Sequence, residues 1–362
     1  VDDCQIDTDV ELLIPATYVQ NISERLQLYH QLNACSSRED LDVFRKELTQ
    51  VYMGLSRGEQ SVLPVLPIRY ADFIRWQRAA FTNGQLDEQL TYWKQQLAGA
   101  NPFLQLPIDR PRALSESYHG GVHSVIFPYE IVKVLETLSQ QHNVTLFMSL
   151  LAVFQALLFR YSGQCDMSIG TPVAGRSRVE TEGLIGCFIN TIVVRVNLSG
   201  NPSFSALLKH VRDVVLTGYD HQDLPFEKVV QELPPERHLS ASPLFQCLFD
   251  FDHATPDVAD LEGMVITQEY CETDIALFDL GLFIRRSGQG LNCTFEYNTN
   301  LFLPSTVERL GHHWQQLLQS VVDNPEMPIG QLSLLNKEER QQLLVEWNQT
   351  EQVRDPNQNV LQ

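Results

Sequence analysis

Residues 146–161, Leu-Phe-Met-Ser-Leu-Leu-Ala-Val-Phe-Gln-Ala-Leu-Leu-Phe-Arg-Tyr, are apolar on nearly every side, and Thr145 stands before them as an N-cap. A helix without a polar face cannot lie on a surface. This one is also too short to cross a bilayer. It must therefore run through the middle of a core, with other elements on all sides. Its surroundings alternate strand and helix. Residues 122–127, 166–170, 188–196, 245–251, 277–285 and 291–297 read as strands, the 188–196 run being rich in Ile and Val as in a strand covered on both faces. Residues 70–81, 86–97, 129–141, 203–219 and 304–322 read as helices, with Phe204, Leu207, Leu208, Val211, Val214 and Val215 sharing one face. The turn Ser287-Gly288-Gln289-Gly290 predicts a hairpin between the last two strands. The fold class is α/β with a layered sheet.

The first part of the chain is different. A short strand is predicted at 10–14, stopped by Pro15, then a helix after Asn21 or Ser23 and another over 36–51. Two loops rich in Pro, 54–68 and 99–117, separate these from the rest. The formal charge is -19, from 45 acidic and 26 basic residues. Such a surface repels phosphate backbones and anionic lipid, so neither a nucleic-acid nor a membrane partner is expected. The seven cysteines include no CxxC and no Cys/His spacing of a zinc site, so no metal is expected and a reduced cytoplasmic setting fits. No signal-peptide pattern opens the chain.

Six segments carry a resemblance. Tyr70-Ala-Asp-Phe-Ile-Arg-Trp-Gln77, Leu106-Pro-Ile-Asp-Arg-Pro-Arg112, Gly170-Thr-Pro-Val-Ala-Gly-Arg176, Ile185-Gly-Cys-Phe-Ile-Asn-Thr191, His221-Gln-Asp-Leu-Pro-Phe-Glu-Lys228 and Ser242-Pro-Leu-Phe-Gln246 stand in one order and at one set of spacings. Together they resemble the condensation domains of nonribosomal peptide synthetases, from about residue 47 to about residue 350. The tail, 332–350, resembles the linker into an adenylation domain. The resemblance implies a chloramphenicol-acetyltransferase-like fold of two lobes facing a tunnel. It implies peptide-bond formation between two (amino)acyl thioesters held on the phosphopantetheine arms of upstream and downstream carrier proteins, with no cofactor bound by the chain itself.

The family's His-His-x-x-x-Asp-Gly is missing. The corresponding stretch, 34–44, holds no His, and the one adjacent pair, His312-His313, has Leu317 where the Asp would stand. His312 and His313 read as surface or interface residues of a helix. The expectation is therefore a second condensation lobe with an incomplete or replaced first lobe, and no catalytic residue in this chain. Residues 1–49 instead resemble, over a shorter match, the C-terminal domain of transcription-repair coupling factor. The expected division is 1–49 of separate origin, 50–117 a first-lobe remnant and crossover, 118–331 the second lobe, and 332–362 the linker. Two other functions stay open beside condensation: a carrier-docking module without catalysis, and a regulatory fragment of a DNA-repair translocase.

The resemblance places Thr171, Arg176, Asn190 and His221 on the substrate tunnel. From the residues alone, Asn190 is an amide in an apolar strand that must find partners. Asp223 reads as the N-cap of a helix with Pro225 in its first turn, and this structural role suffices for the segment around His221. The glycines of 170–176 lack the Lys-Ser/Thr of a phosphate loop, so nucleotide binding is not expected. His119 and His123 read as solvent-facing, and Trp76 and Trp93 as core.

Overall fold

The computed structural model describes residues 38–58, 63–101, 103–112, 118–233, 242–252, 274–287 and 290–349. The strand and helix expected within 10–35, and most of the segment resembling the repair factor, lie outside these. The described chain runs α1 (Arg38–Ser56), α2 (Tyr70–Thr82), α3 (Asp87–Gln96), β1 (Gly120–Pro128), α4 (Tyr129–Gln141), α5 (Leu146–Ser162) and β2 (Asp166–Val173). It continues through β3 (Asn190–Asn197), α6 (Phe204–Asp220), α7 (Phe226–Glu232), β4 (Cys247–Asp252), β5 (Leu280–Ser287), β6 (Gly290–Asn298), α8 (Pro304–Asp323) and α9 (Lys337–Leu344).

One mixed sheet of six strands organises these elements in the order β1-β6-β5-β4-β2-β3. β4 lies parallel to both β5 and β2, and the outer pairs are antiparallel. β5 and β6 form the expected hairpin, Ser287 opposite Gly290. β2 runs three residues further than its sequence suggests, because Thr171-Pro-Val173 continue to pair with Ile192, Thr191 and Asn190 of β3. Pro172 has no N–H to offer on the other side, and β2 meets β4 at Gly170 opposite Leu248.

α5 is where its composition demands. Every residue from Leu146 to Leu158 is buried, and Phe147 and Phe154 meet Phe249 of β4 at ring distances of 5.5 and 6.0 Å. α4, α6, α8 and the inward residues of all six strands complete this core. Each fully buried Leu or Phe contributes roughly 1.5–3 kcal/mol, so the layer around α5 is a large source of stability. Thr145 accepts from the Met148 amide (3.2 Å), capping α5 as expected, and Ser203 accepts from the Ala206 amide (3.2 Å), capping α6. Gly163, at φ +70, ends α5 in the left-handed conformation. A second cluster gathers α2, α3 and α7 at the β2–β3 end of the sheet, with Trp93 buried as expected and Phe245 filling the space left by Gly170.

The 106–112 motif is structural in detail. Asp109 accepts from the Leu303 amide (2.8 Å) and the Thr306 hydroxyl (3.0 Å), so it caps α8 from almost two hundred residues away. Arg110 donates to the Thr299 carbonyl at 2.7 Å. Arg112 meets Asp279 with both nitrogens, in a pair only 18% and 10% exposed, and stacks on Phe103.

Two histidine expectations are corrected. His123 faces the helix layer, its ring close to Gly311 of α8 and its Nε2 buried, because β1's inward positions alternate through 123, 125 and 127. His313 is buried while His312 is exposed. Trp314 and Leu317 follow it into the core, and the chain after α8 folds back over it. No single helix among the described residues is long and apolar enough to cross a membrane.

Candidate functional site

Four of the six recognised segments converge where β2 ends and β3 begins. Val173 and Asn190 are paired across these strands, so the loop 174–189 leaves and returns at one point of the sheet. Gly175 makes the exit possible: it sits at φ +63, with the Phe188 carbonyl where a side chain would be. Arg176 donates to the Thr181 carbonyl and lays its guanidinium over Phe188 at 4.2 Å. It thus closes the loop on itself. Phe188 and Leu184 pack on Phe73 of α2, and the Tyr70 hydroxyl donates to the Cys187 carbonyl at 2.8 Å. Gly186 leaves room for the Tyr70 ring. Arg178 covers the partly exposed face of Trp76 at 3.9 Å. The motif containing Tyr70, Phe73 and Trp76 is therefore the bed on which the loop lies.

Asn190 is the centre of the arrangement. Its amide nitrogen donates to the carbonyls of Gln222 (2.7 Å) and Leu224 (2.8 Å). Its carbonyl oxygen accepts from the amides of Thr191 and Phe226, both at 2.9 Å. All four hydrogen-bonding positions of the side chain are used. The last of these bonds corrects the cap expected at Asp223. α7 starts at Phe226, and it is Asn190, from β3, that serves its first amide. Asp223 instead accepts from Ser177 Oγ at 2.9 Å, joining the 221–225 segment to the 174–189 loop.

His221 closes the other side. Its ring stacks on Tyr92 of α3, centroids 3.9 Å apart. Nδ1 lies 2.7 Å from the Thr217 carbonyl, which can only accept, so Nδ1 carries a proton. The His221 carbonyl accepts from Trp93 Nε1 (3.0 Å), and the Leu224 amide donates to Gln89 of α3 (3.0 Å). Tyr92 is held as a neutral phenol, its pKa raised by burial and by nearby Asp220. Thr171 stands apart from these three: its side chain is 1% exposed inside the sheet layer, its hydroxyl without a hydrogen-bond partner among the described residues.

The structure thus draws Arg176, Asn190 and His221 into one wall of backbone segments and leaves Thr171 behind it. Sequence reasoning missed Ser177, Asp223 as its partner, Tyr70 and Gln89. Their bonds span sequence distances that no local pattern reveals. No cluster of three or more His, Cys, Asp or Glu that could hold a metal occurs among the described residues. Cys247 and Cys293 are core thiols whose pKa burial pushes up.

The condensation-domain family model matches residues 41–344. The chain belongs to the condensation-domain family. It is 47% identical over 312 residues to one linear gramicidin synthase polypeptide of Brevibacillus parabrevis, a match covering 86% of this chain and 4% of that protein. It is 48% identical over 307 residues to a second linear gramicidin synthase polypeptide from the same organism, covering 84% and 6%. Chondramide synthase cmdD of Chondromyces crocatus is 40% identical over 310 residues, covering 86% and 8%. The chain spans less than a tenth of the length of these relatives. Among solved structures, the X-domain from teicoplanin biosynthesis superposes with a TM-score of 0.75 at 24% identity, over 83% of this chain and 70% of that one. The four-domain nonribosomal peptide synthetase holo-AB3403 gives a TM-score of 0.70 at 21% identity, over 81% and 24%. These likenesses place the fold in the chloramphenicol-acetyltransferase-like class expected from the sequence.

Proposed function

We propose that this chain is the condensation portion of a nonribosomal peptide synthetase, in which an acceptor amine attacks a donor thioester carbonyl, the amide bond forms and the donor's thiol leaves. The observation that carries this is the Asn190 clamp, which locks two of the recognised motifs, 185–191 and 221–228, into one wall at the end of β2 and β3. In this reading Arg176, Asn190 and His221 shape the tunnel through the backbone they hold, and Thr171 backs it from within the sheet. The thioesters arrive on the phosphopantetheine arms of upstream and downstream carrier proteins, and residues 332–362 lead toward an adenylation domain, in the cytoplasm.

The amine must lose a proton to become a product amide, and a base within hydrogen-bond reach typically contributes about a hundred- to ten-thousand-fold. This sequence lacks the His-His-x-x-x-Asp-Gly that carries such a base in the family. We assign the chain the second lobe (118–331) and the crossover (50–117), with the rest of a first lobe incomplete or replaced. The chain on its own then holds carriers without joining their cargo, which is the docking reading reached by a different route.

The experiment is a condensation assay with donor and acceptor aminoacyl carrier proteins, read by mass spectrometry of the released peptide, beside a binding titration with the holo carriers. Carrier binding without product is expected. Robust turnover by this chain alone overturns the loss of chemistry. Absence of carrier binding, with tight and salt-sensitive binding of duplex DNA, overturns the condensation reading in favour of the repair-factor one.

A further inference from the structure

Beyond α8 the chain is fastened to the lobe along residues 325–334. Ile329 and Leu332 are buried, and their carbonyls accept from Arg160 (3.3 and 2.7 Å). The Gly330 amide donates to Asn201 (2.7 Å) and the Ser333 amide to Ser320 (2.9 Å). α9, which follows, has no buried residue of its own. Among the described residues, one side-chain hydrogen bond joins it to the lobe: His313 Nε2 to Glu339 Oε1 at 3.0 Å.

That bond ends a partly buried chain of polar groups. His313 Nδ1 lies 2.6 Å from the hydroxyl of Tyr161, the last aromatic of α5. Burial pushes the Tyr161 phenol up to about 12 and outweighs Glu339 in lowering the His313 imidazole. With both neutral, the phenol donates to Nδ1, and Nε2–H donates to the carboxylate. The charged groups that act on His313 are Glu339 from α9, and Arg309 and His312 from its own helix. Glu339 Oε2 is occupied as well: it accepts from the Asn336 amide (3.0 Å), and Asn336 Oδ1 accepts from the Glu339 amide (2.8 Å). One carboxylate therefore closes the capping box of α9 and ties that box to the core.

We propose that His313 is a positioning residue for the chain's exit: through the Tyr161–His313–Glu339 chain of hydrogen bonds it fixes the direction of α9 relative to the lobe. Without it, the fastening would stop near residue 334 and α9 would swing. With it, α9 leaves as a stiff arm bearing Leu344, Val345 and Trp347, which are 59%, 41% and 63% exposed. The exit helix holds its direction whether or not the lobe takes part in condensation, so the two readings fail separately.

Hydrogen exchange followed by mass spectrometry on the full chain tests it. His313→Leu keeps the capping box and removes the tether. It is expected to speed amide exchange in 339–345 by about tenfold or more while 146–158 stays protected. Glu339→Ala is a change near the surface that leaves the lobe intact. It is expected to speed the same amides more than Asn336→Ala, which breaks only the cap. The imidazole nitrogen spectrum of the unaltered chain should show His313 as the Nε2–H tautomer and should shift in Glu339→Ala. Unchanged exchange of 339–345 in His313→Leu, or equal exchange in Glu339→Ala and Asn336→Ala, overturns the tether. Should His313→Leu unfold the lobe, the Glu339 and Asn336 pair alone decides.

Discussion

Replacing Asn190 by Asp changes one NH2 group into an oxygen and almost nothing else, so it isolates what the clamp contributes. In the native structure that nitrogen donates to the Gln222 and Leu224 carbonyls at 2.7 and 2.8 Å. A carboxylate oxygen placed there faces two carbonyl oxygens at close range. It can donate to neither, while the bonds from Thr191 and Phe226 to the other oxygen survive. Two hydrogen bonds at about 1 kcal/mol net each are lost. Repulsion between the like partial charges adds further, for a total of roughly 3 kcal/mol at neutral pH. The sign of the pH dependence follows. Those carbonyls disfavour the ionised form, so the new carboxyl titrates higher in the folded than in the unfolded chain. The folded state then holds more protons, and the deficit shrinks as pH falls into the carboxyl range. Asn190→Ala removes all four bonds but lets water reach the part-buried carbonyls, and a loss of about 2–3 kcal/mol is expected. Urea unfolding at about pH 7 and about pH 4, above and within the carboxyl range, gives the stabilities, and hydrogen exchange across 221–228 shows whether the loss is local. An Asp variant within about 0.5 kcal/mol of the parent, with unchanged exchange in 221–228, refutes the clamp.

Arg112→Ala strands Asp279 with one partner removed from a mostly buried pair and should cost about 3–5 kcal/mol, measured as a lowered urea midpoint. Gly175→Ala forces a side chain toward the Phe188 carbonyl at a left-handed φ; it should detach the 174–189 loop, seen as new proteolytic cleavage there with the α5 core still protected. Burial raises the Glu296 carboxyl above its ordinary value, so it costs stability above that pKa and costs nothing once protonated. Glu296→Gln should therefore raise the melting temperature at neutral pH, with the gain vanishing as both chains are brought below the ordinary carboxyl range. Cys187 is exposed and should label quickly in the native chain, whereas Cys247 and Cys293 should label only on unfolding, as peptide mapping after alkylation will show.

What the sequence revealed were features whose causes are local. The helix at α5 follows from an apolar surface on all sides, and its cap at Thr145 follows from residue type and place. The hairpin of β5 and β6 follows from alternation and a Gly-rich turn. What it concealed was set by partners far along the chain. Pro172 reads as the end of a strand, but pairing with β3 carries β2 past it. Asp223 has every local attribute of a cap, yet Asn190 reaches the amide first. His313 sits in a helix whose polar neighbours suggest a surface, yet it is buried, with Tyr161 of α5 and Glu339 of α9 on its two ring nitrogens. The motifs at 70–77, 106–112 and 221–228 were legible as a family signature, but their work, bedding a loop, capping α8 and holding α7, was not.

The sheet order has a consequence for synthesis on the ribosome. β1 occupies one rim and pairs along its whole length with β6, so Gly120 waits for Asn298 before that ladder can form. β2, β3 and α5 come off early and close together, whereas the rim strand must persist without β6 while roughly 160 further residues are made, about ten to thirty seconds at ordinary rates of synthesis. An emerging chain of this design exposes a ribbon of 9 residues to its polysome neighbours for that interval, and a pause placed before codon 290 would lengthen the hazard.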